Sequence, residues 1–157
     1  MKKSLKTYIV TIASTLAVGG LSALLTKNSM ETFKALEKPP LSPPGFLFPI
    51  VWGILYTLMG ISLARVLLSG ASADEKKTSL TLYICQLAFN FFWSIIFFNF
   101  EAYLFSFIWL LILLALIIAM TLSFYKSDKI AAYLQIPYIL WVTFAAYLNL
   151  GIYFLNR

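Results

Sequence analysis

The sequence predicts an all-α membrane protein, a bundle of five transmembrane helices, and three observations carry that prediction. Of the 157 residues, 61% are hydrophobic and only 11% are charged, against about 45–50% and about 25% in soluble domains. A chain this short cannot hide the excess in one globular core, so part of its solvent must be lipid. Charged residues also divide the chain into five uncharged stretches, Thr7–Thr26, Gly45–Ala64, Thr78–Phe100, Ala102–Tyr125 and Ile130–Asn156, of 20, 20, 23, 24 and 27 residues. Each meets the about 20 residues that a helix needs to cross the hydrocarbon core. Runs such as Ile108–Met120 show no alternation, which argues against barrel strands. Helices satisfy their backbone hydrogen bonds internally, as lipid requires.

One domain over residues 1–157 is expected, with helices over 7–26, 45–68, 78–99, 102–125 and 130–154. Lys2, Lys3 and Lys6 precede the first apolar run. That pattern also fits a signal peptide, with Ala17-Val18-Gly19 resembling a cleavage site. The length and the small residues favour a span. Ala13 with Ala17, and Gly19 with Ala23, are small-xxx-small pairs that predict close packing inside the bundle.

A Pro-rich loop over 27–44 follows and closes with Lys38-Pro39-Pro40-Leu41-Ser42-Pro43-Pro44. Its four prolines favour stiff, extended backbone. As a connector it joins two helices; as a functional element it is a lid over the bundle mouth. The loop alone favours the connector. Residues 69–77 are expected to be a solvated linker, and Glu101 and Asp128 to mark tight turns.

Lysine and arginine counts set an orientation. The N-terminus, the second loop and the fourth loop carry eight; the first loop and the C-terminus carry four, and the third loop none. The positive-inside rule then predicts the N-terminus inside and the C-terminus outside. The net charge of +6 is read as this topology signal. No basic stripe interleaved with aromatics points to nucleic acid.

The chemistry is narrowed by what is scarce. The chain has no histidine and one cysteine, Cys85, so the usual metal ligands and a histidine base are missing. No metal and no cofactor is implied. Cys85 is expected to be a small buried apolar residue. The embedded polar residues are Gln86, Asn90, Asn99, Gln135 and Asn149, with Arg65 near a helix end where it can snorkel. No charge sits mid-span, which argues against an ion pump.

Helical spacing sorts the remainder. Pro49, Trp52, Tyr56 and Met59 share one stripe; Gln86, Asn90, Trp93 and Phe97 share a second; Pro137, Trp141, Ala145 and Asn149 share a third. Three stripes mixing aromatics with amides predict an interior, flat-walled, apolar cavity with a few hydrogen-bonding groups. The alternative is an interfacial belt of Trp and Tyr, with amides joining helices. Trp109, Tyr8 and Tyr153 fit the belt, and Trp52 and Trp141 fit either reading. Pro137 is expected to kink the fifth helix. Leu148, Tyr153 and Arg157 match a proposed cholesterol motif that is frequent by chance.

Several of these segments, taken together, resemble a known family. Leu36-Glu37-Lys38-Pro39, Pro43-Pro44-Gly45 and Val51-Trp52-Gly53-Ile54-Leu55-Tyr56 resemble the first loop and second helix of the translocator protein family, also called the tryptophan-rich sensory or peripheral benzodiazepine receptor family. Gln86-Leu87-Ala88-Phe89-Asn90-Phe91-Phe92-Trp93 resembles its third helix, and Pro137-Tyr138-Ile139-Leu140-Trp141 with Ala145 and Leu148-Asn149 its fifth. The resemblance implies a five-helix bundle, often dimeric. It implies a pocket under the first loop for porphyrins such as protoporphyrin IX, for synthetic benzodiazepine-site ligands and, in animal members, for cholesterol. By motif match the pocket residues are Phe33, Pro43, Trp52, Asn90, Trp141 and Ala145; the stripes add Tyr56 and Trp93. Thr32-Phe33 stands where the family often has Trp-Tyr, and Leu41 where it often has Trp. These departures remove two indoles and a phenol from the loop, which weakens hydrogen bonding from the lid.

The reading is a membrane receptor or sensor for a tetrapyrrole or related hydrophobic ligand. Trp52, Trp141 and Phe33 would stack on the ring, Asn90 would orient it, and Lys34 or Lys38 would meet its carboxylates. The alternatives are a light-dependent porphyrin-degrading enzyme, with Trp52 and Trp141 as its photochemical residues, and a transporter. The partners are a porphyrin or other hydrophobic small molecule, the lipid bilayer and a second copy of the chain, with no nucleic acid.

Overall fold

A computed structural model describes residues 1–157. It is all-helical, and five helices are long and apolar enough to cross a membrane. The chain is an integral multi-pass membrane protein. Helix α1 (Lys2–Thr26) leads into a 3-10 turn (Lys27–Ser29) and short α2 (Met30–Lys34). Then come α3 (Leu47–Leu67), α4 (Ala73–Ser94) ending in a π-turn (Ile95–Asn99), α5 (Tyr103–Ser127), short α6 (Lys129–Tyr133) and α7 (Ile136–Leu155).

The tight turns fall where expected. At one, Glu101 takes a left-handed φ of 53°. At the other, the Asp128 carboxylate accepts the Ala131 N–H at 3.1 Å and caps α6.

Several expectations are corrected. α1 begins at Lys2 rather than residue 7, since lysine is a good helix former and its long stem keeps the ammonium in water. α4 begins at Ala73 rather than 78, so most of the expected linker is helix. The cause is a capping box: Glu75 N–H donates to Ser72 Oγ at 3.2 Å, and Ser72 N–H donates to Glu75 Oε2 at 2.9 Å. The first part of the 27–44 loop is helical, because the prolines begin only at residue 39. Pro137 does not kink a continuous helix. The fifth span breaks at Leu134-Gln135, and Pro137 sits in the first turn of α7, where a missing N–H costs nothing.

Going round the bundle, α3 packs on α1, α1 on α4, α4 on α5, and α5 on α7. In lipid, such contacts rest on close approach and interhelical hydrogen bonds rather than on the hydrophobic effect. The sequence supplies both. α1 buries Thr11, Thr15, Gly19, Ser22 and Thr26. Thr11 Oγ1 donates to the Gly60 carbonyl of α3 at 2.8 Å, and Thr15 bonds Tyr83 of α4. A hydroxyl pair, Ser79 and Ser123 at 2.7 Å, joins α4 to α5.

The small pairs divide. Gly19 packs against the Tyr56 ring, whereas Ala13 and Ala17 face outward. Cys85 also faces outward rather than being buried, because the buried face of α4 runs through Ser79, Tyr83, Gln86, Asn90 and Trp93. Trp109 acts as a helix joint: its indole N–H donates to the Phe89 carbonyl at 2.8 Å and its ring stacks on Phe89.

The end of the bundle away from the first loop is closed by charge. Arg65 of α3 pairs with Asp128 at 3.0 Å instead of simply snorkelling. Desolvation raises the Asp128 pKa, but the Ala131 N–H and the Arg65 guanidinium outweigh it and hold the carboxyl below its usual range.

Candidate functional site

At the other end, beneath the first loop, the helices enclose a cavity of about 740 Å³. That lies within the about 300–1,000 Å³ typical of small-molecule sites. Seven of the eight sequence-predicted site residues border it: Phe33, Pro43, Trp52, Tyr56, Trp93, Trp141 and Ala145.

The eighth, Asn90, lies behind the wall and is fully buried. Its Oδ1 accepts from Tyr56 Oη at 3.1 Å, and its Nδ2 donates to Tyr138 Oη at 2.7 Å. Tyr138 Oη in turn donates to Gln86 Oε1 at 2.7 Å. Asn90 is therefore committed to holding Tyr56 and Tyr138 in place. The physical reason is that lipid-buried amides must find partners, and two phenols on neighbouring helices supply them. Asn149 is committed likewise. It borders the cavity, but its Oδ1 accepts the Trp93 indole N–H at 3.0 Å and its Nδ2 donates to the Tyr103 carbonyl at 2.8 Å.

The aromatic walls come from four elements. Trp52 stacks on Tyr56 with centroids 5.4 Å apart. Phe48 meets Trp141 edge-on at 5.8 Å. The π-turn at the end of α4 adds one residue to the last turn and presents both Phe97 and Phe98 to Phe33, at 6.0 and 5.3 Å. Trp52 and Trp141 both border the cavity. Sequence reasoning missed Phe48, which stands four residues before Trp52 and thus on its face, and Phe98, which only the π-turn brings in. It also missed Ser22, Ala23 and Thr26 of α1. Pro137 leaves its expected stripe and lies on the outer surface, in a groove with Ile54, Leu140 and Phe144.

The first loop lies along α7 as a strap. Pro39 packs on Gly151, where a Cβ would stand 2.6 Å from the proline ring. Tyr147 Oη donates to the Pro40 carbonyl at 2.7 Å. Asn156 brackets Glu37, accepting its N–H at 3.0 Å and donating to its carbonyl at 2.8 Å. Lys38 turns inward: its Nζ donates to the Phe33 carbonyl at 3.1 Å and lies 4.8 Å from the Phe33 ring centre. Lys34 pairs with Glu31 at 3.1 Å in water. Lys27, Lys34 and Lys38 all border the cavity. Leu41 stands where the strap turns over, exposed and in a left-handed conformation with φ 71°.

Five spanning helices around an apolar, ring-walled cavity strapped over by a proline-rich loop define a class: a multi-pass membrane protein built round a chamber of small-molecule size. The TspO/MBR family model matches residues 11–155, and the chain belongs to that family. It is 37% identical to the tryptophan-rich protein TspO of Chlorobaculum tepidum over 99% of both chains. Its identity to protein CrtK of Rhodobacter capsulatus is 32%, over 98% of this chain and 94% of that one. With the human translocator protein it shares 31%, over 88% and 83%.

Proposed function

We propose that the protein is a membrane receptor or sensor that holds a tetrapyrrole, protoporphyrin IX in the first instance, in the cavity beneath the strap. The observation that carries this is the wall: Trp52, Trp141, Phe33 and Phe48 give flat faces to a flat apolar ligand, where offset and edge contacts are favoured. Lys27 and Lys34 at the rim suit ligand carboxylates. Lys38 supports the site indirectly, by holding Phe33. With Asn90 occupied behind the wall and the Tyr56 hydroxyl donating to it, the rim lysines and the oxygens of Ser22 and Thr26 are the polar groups at the cavity.

Tryptophan fluorescence in detergent tests the reading. Titrated protoporphyrin IX should quench it saturably. Trp52→Phe with Trp141→Phe should weaken binding by about tenfold, the scale expected from two aromatic pairs of about 0.5–1.5 kcal/mol each. Binding that ignores both substitutions sinks the proposal.

A second reading is light-driven porphyrin degradation. It draws support from both indoles bordering one chamber, beside any photosensitiser bound there. Illuminated product spectra compared with free tryptophan decide it, since equal turnover in the control removes the enzyme. The proposed orientation places the strap and cavity mouth outside, as the lysine and arginine count implies. Labelling of Ser29→Cys in the Cys85→Ser background by an impermeant maleimide checks it in intact cells.

A further inference from the structure

The wall of the cavity is not equally closed all round. α1 meets α3 with backbone against backbone, because Gly60 has no Cβ to hold Ile12 away. The neighbouring pairs α1–α4, α4–α5 and α5–α7 also pack closely. The ring of helices closes between α3 and α7, and there the backbones stay apart. Side chains fill the seam: Phe48 against Trp141 at 5.8 Å, and Trp52 against Tyr138 at 6.3 Å.

Outside this seam runs a groove of about 340 Å³, lined by Val51, Ile54 and Leu55 of α3 and by Pro137, Leu140 and Phe144 of α7, with Trp141 at its floor. Trp141 also borders the cavity. Trp141, partly exposed, thus lines both the chamber and the lipid-facing groove. The inner part of the seam is held through Asn90, which bonds Tyr56 of α3 and Tyr138 of α7, and the Phe48–Trp141 level is pinned only beyond it. At one end stand α6 and the Arg65–Asp128 pair; at the other, the strap is tied to α7 by Tyr147, Gly151 and Asn156. The fifth span is interrupted at Leu134-Gln135, between α6 and α7.

We propose that the α3–α7 seam is the route by which a flat, apolar small molecule passes between the bilayer core and the cavity, with the Trp141 ring as its movable leaf. This rests on the cavity being a ligand site, and it says how that site is reached. A ligand of this chemistry partitions into acyl chains, so the groove meets it where it is concentrated. Every residue lining the groove is apolar, and none there asks for desolvation. The strap can then stay closed while ligand exchanges.

The test ties the seam shut from outside. Ile54→Cys and Leu140→Cys face lipid from the two sides of the groove, and neither borders the cavity. In the Cys85→Ser background, in lipid nanodiscs, the two thiols are bridged with a short bifunctional maleimide. Protoporphyrin IX binding is then followed by stopped-flow quenching. Association and dissociation should both slow by about tenfold, with Kd changed less than about twofold, because a gate alters rates and not the end states. Unchanged rates in the bridged protein overturn the proposal.

A second readout uses no porphyrin. With Trp52, Trp93 and Trp109 replaced by Phe, the lone Trp141 should be quenched by phospholipids with brominated acyl chains, and bridging should relieve it. Loss of porphyrin binding in the unbridged protein counts against the ligand reading alone, and the lipid quenching still decides the seam. A Trp141 that brominated chains never reach overturns it.

Discussion

Helix α3 has two long sides, and they are built on opposite principles. Toward α1 it presents Gly60, so close that a Cβ there would lie 2.5 Å from the Ile12 Cα, and a hydroxyl-to-carbonyl bond from Thr11 locks the approach. Toward α7 it presents Phe48 and Trp52, and the contact is ring to ring. Backbones in contact cannot give way without moving whole helices, whereas rings can turn about χ1 and χ2 and return. The same helix thus forms a fixed wall on one side and a yielding one on the other, and the cavity lies between them.

The most damaging way to break that contrast is on the fixed side. Gly60→Val puts a branched side chain into the Ile12 backbone and should cost about 3 kcal/mol or more, read as a collapse of thermal stability in detergent. On the yielding side, Ile54→Phe should change stability by less than about 0.5 kcal/mol, as lipid-facing surface changes usually do. Equal costs on the two sides would remove the distinction.

Gly151→Val sharpens it next. The atoms nearest the new Cβ are those of the Pro39 ring, so the strap should lift off α7 while the helices hold. Ligand dissociation should then quicken by about tenfold, with the melting curve little altered. A strap whose release leaves dissociation unchanged would not be the cover of the site.

The smallest effect belongs to the closed far end. Asp128→Asn removes the ion pair with Arg65 while its Oδ1 can still cap α6, and should cost about 1 kcal/mol or less. The folded Asp128 pKa lies below the unfolded value of about 3.9. Its contribution is therefore complete well above that value and is lost as pH falls through the folded pKa. Melting followed from pH 7 to 3 should show that loss in the native protein and not in Asp128→Asn.

Much of the site was legible in the sequence, for a reason visible in particular residues. Trp52, Tyr56, Trp93, Trp141 and Ala145 border one chamber because residues three and four apart share a helix face whatever the tertiary fold does. Asn90 was legible as embedded but not as occupied, because its partners, Tyr56 and Tyr138, lie 34 and 48 residues away. Phe98 was hidden because a π-turn breaks the 3.6-residue period that sorts faces. Cys85 was misplaced because an apolar residue in a membrane helix is at home facing either lipid or protein, and hydropathy does not separate the two.

The sequence by itself determined that five segments cross the bilayer, that three of them carry aromatic faces, two of these with amides, and that no histidine or mid-span charge is available for acid–base or ion-pump chemistry. Those conclusions follow from transfer energies and helical period, which are local properties of the chain. Only the tertiary structure decided which amides are occupied and by what, which glycines carry backbone contact, and which seam of the bundle is closed by rings. Those outcomes depend on residues distant in the chain meeting in lipid, where helix pairing rests on fit and partner geometry rather than on hydrophobicity that could be read residue by residue.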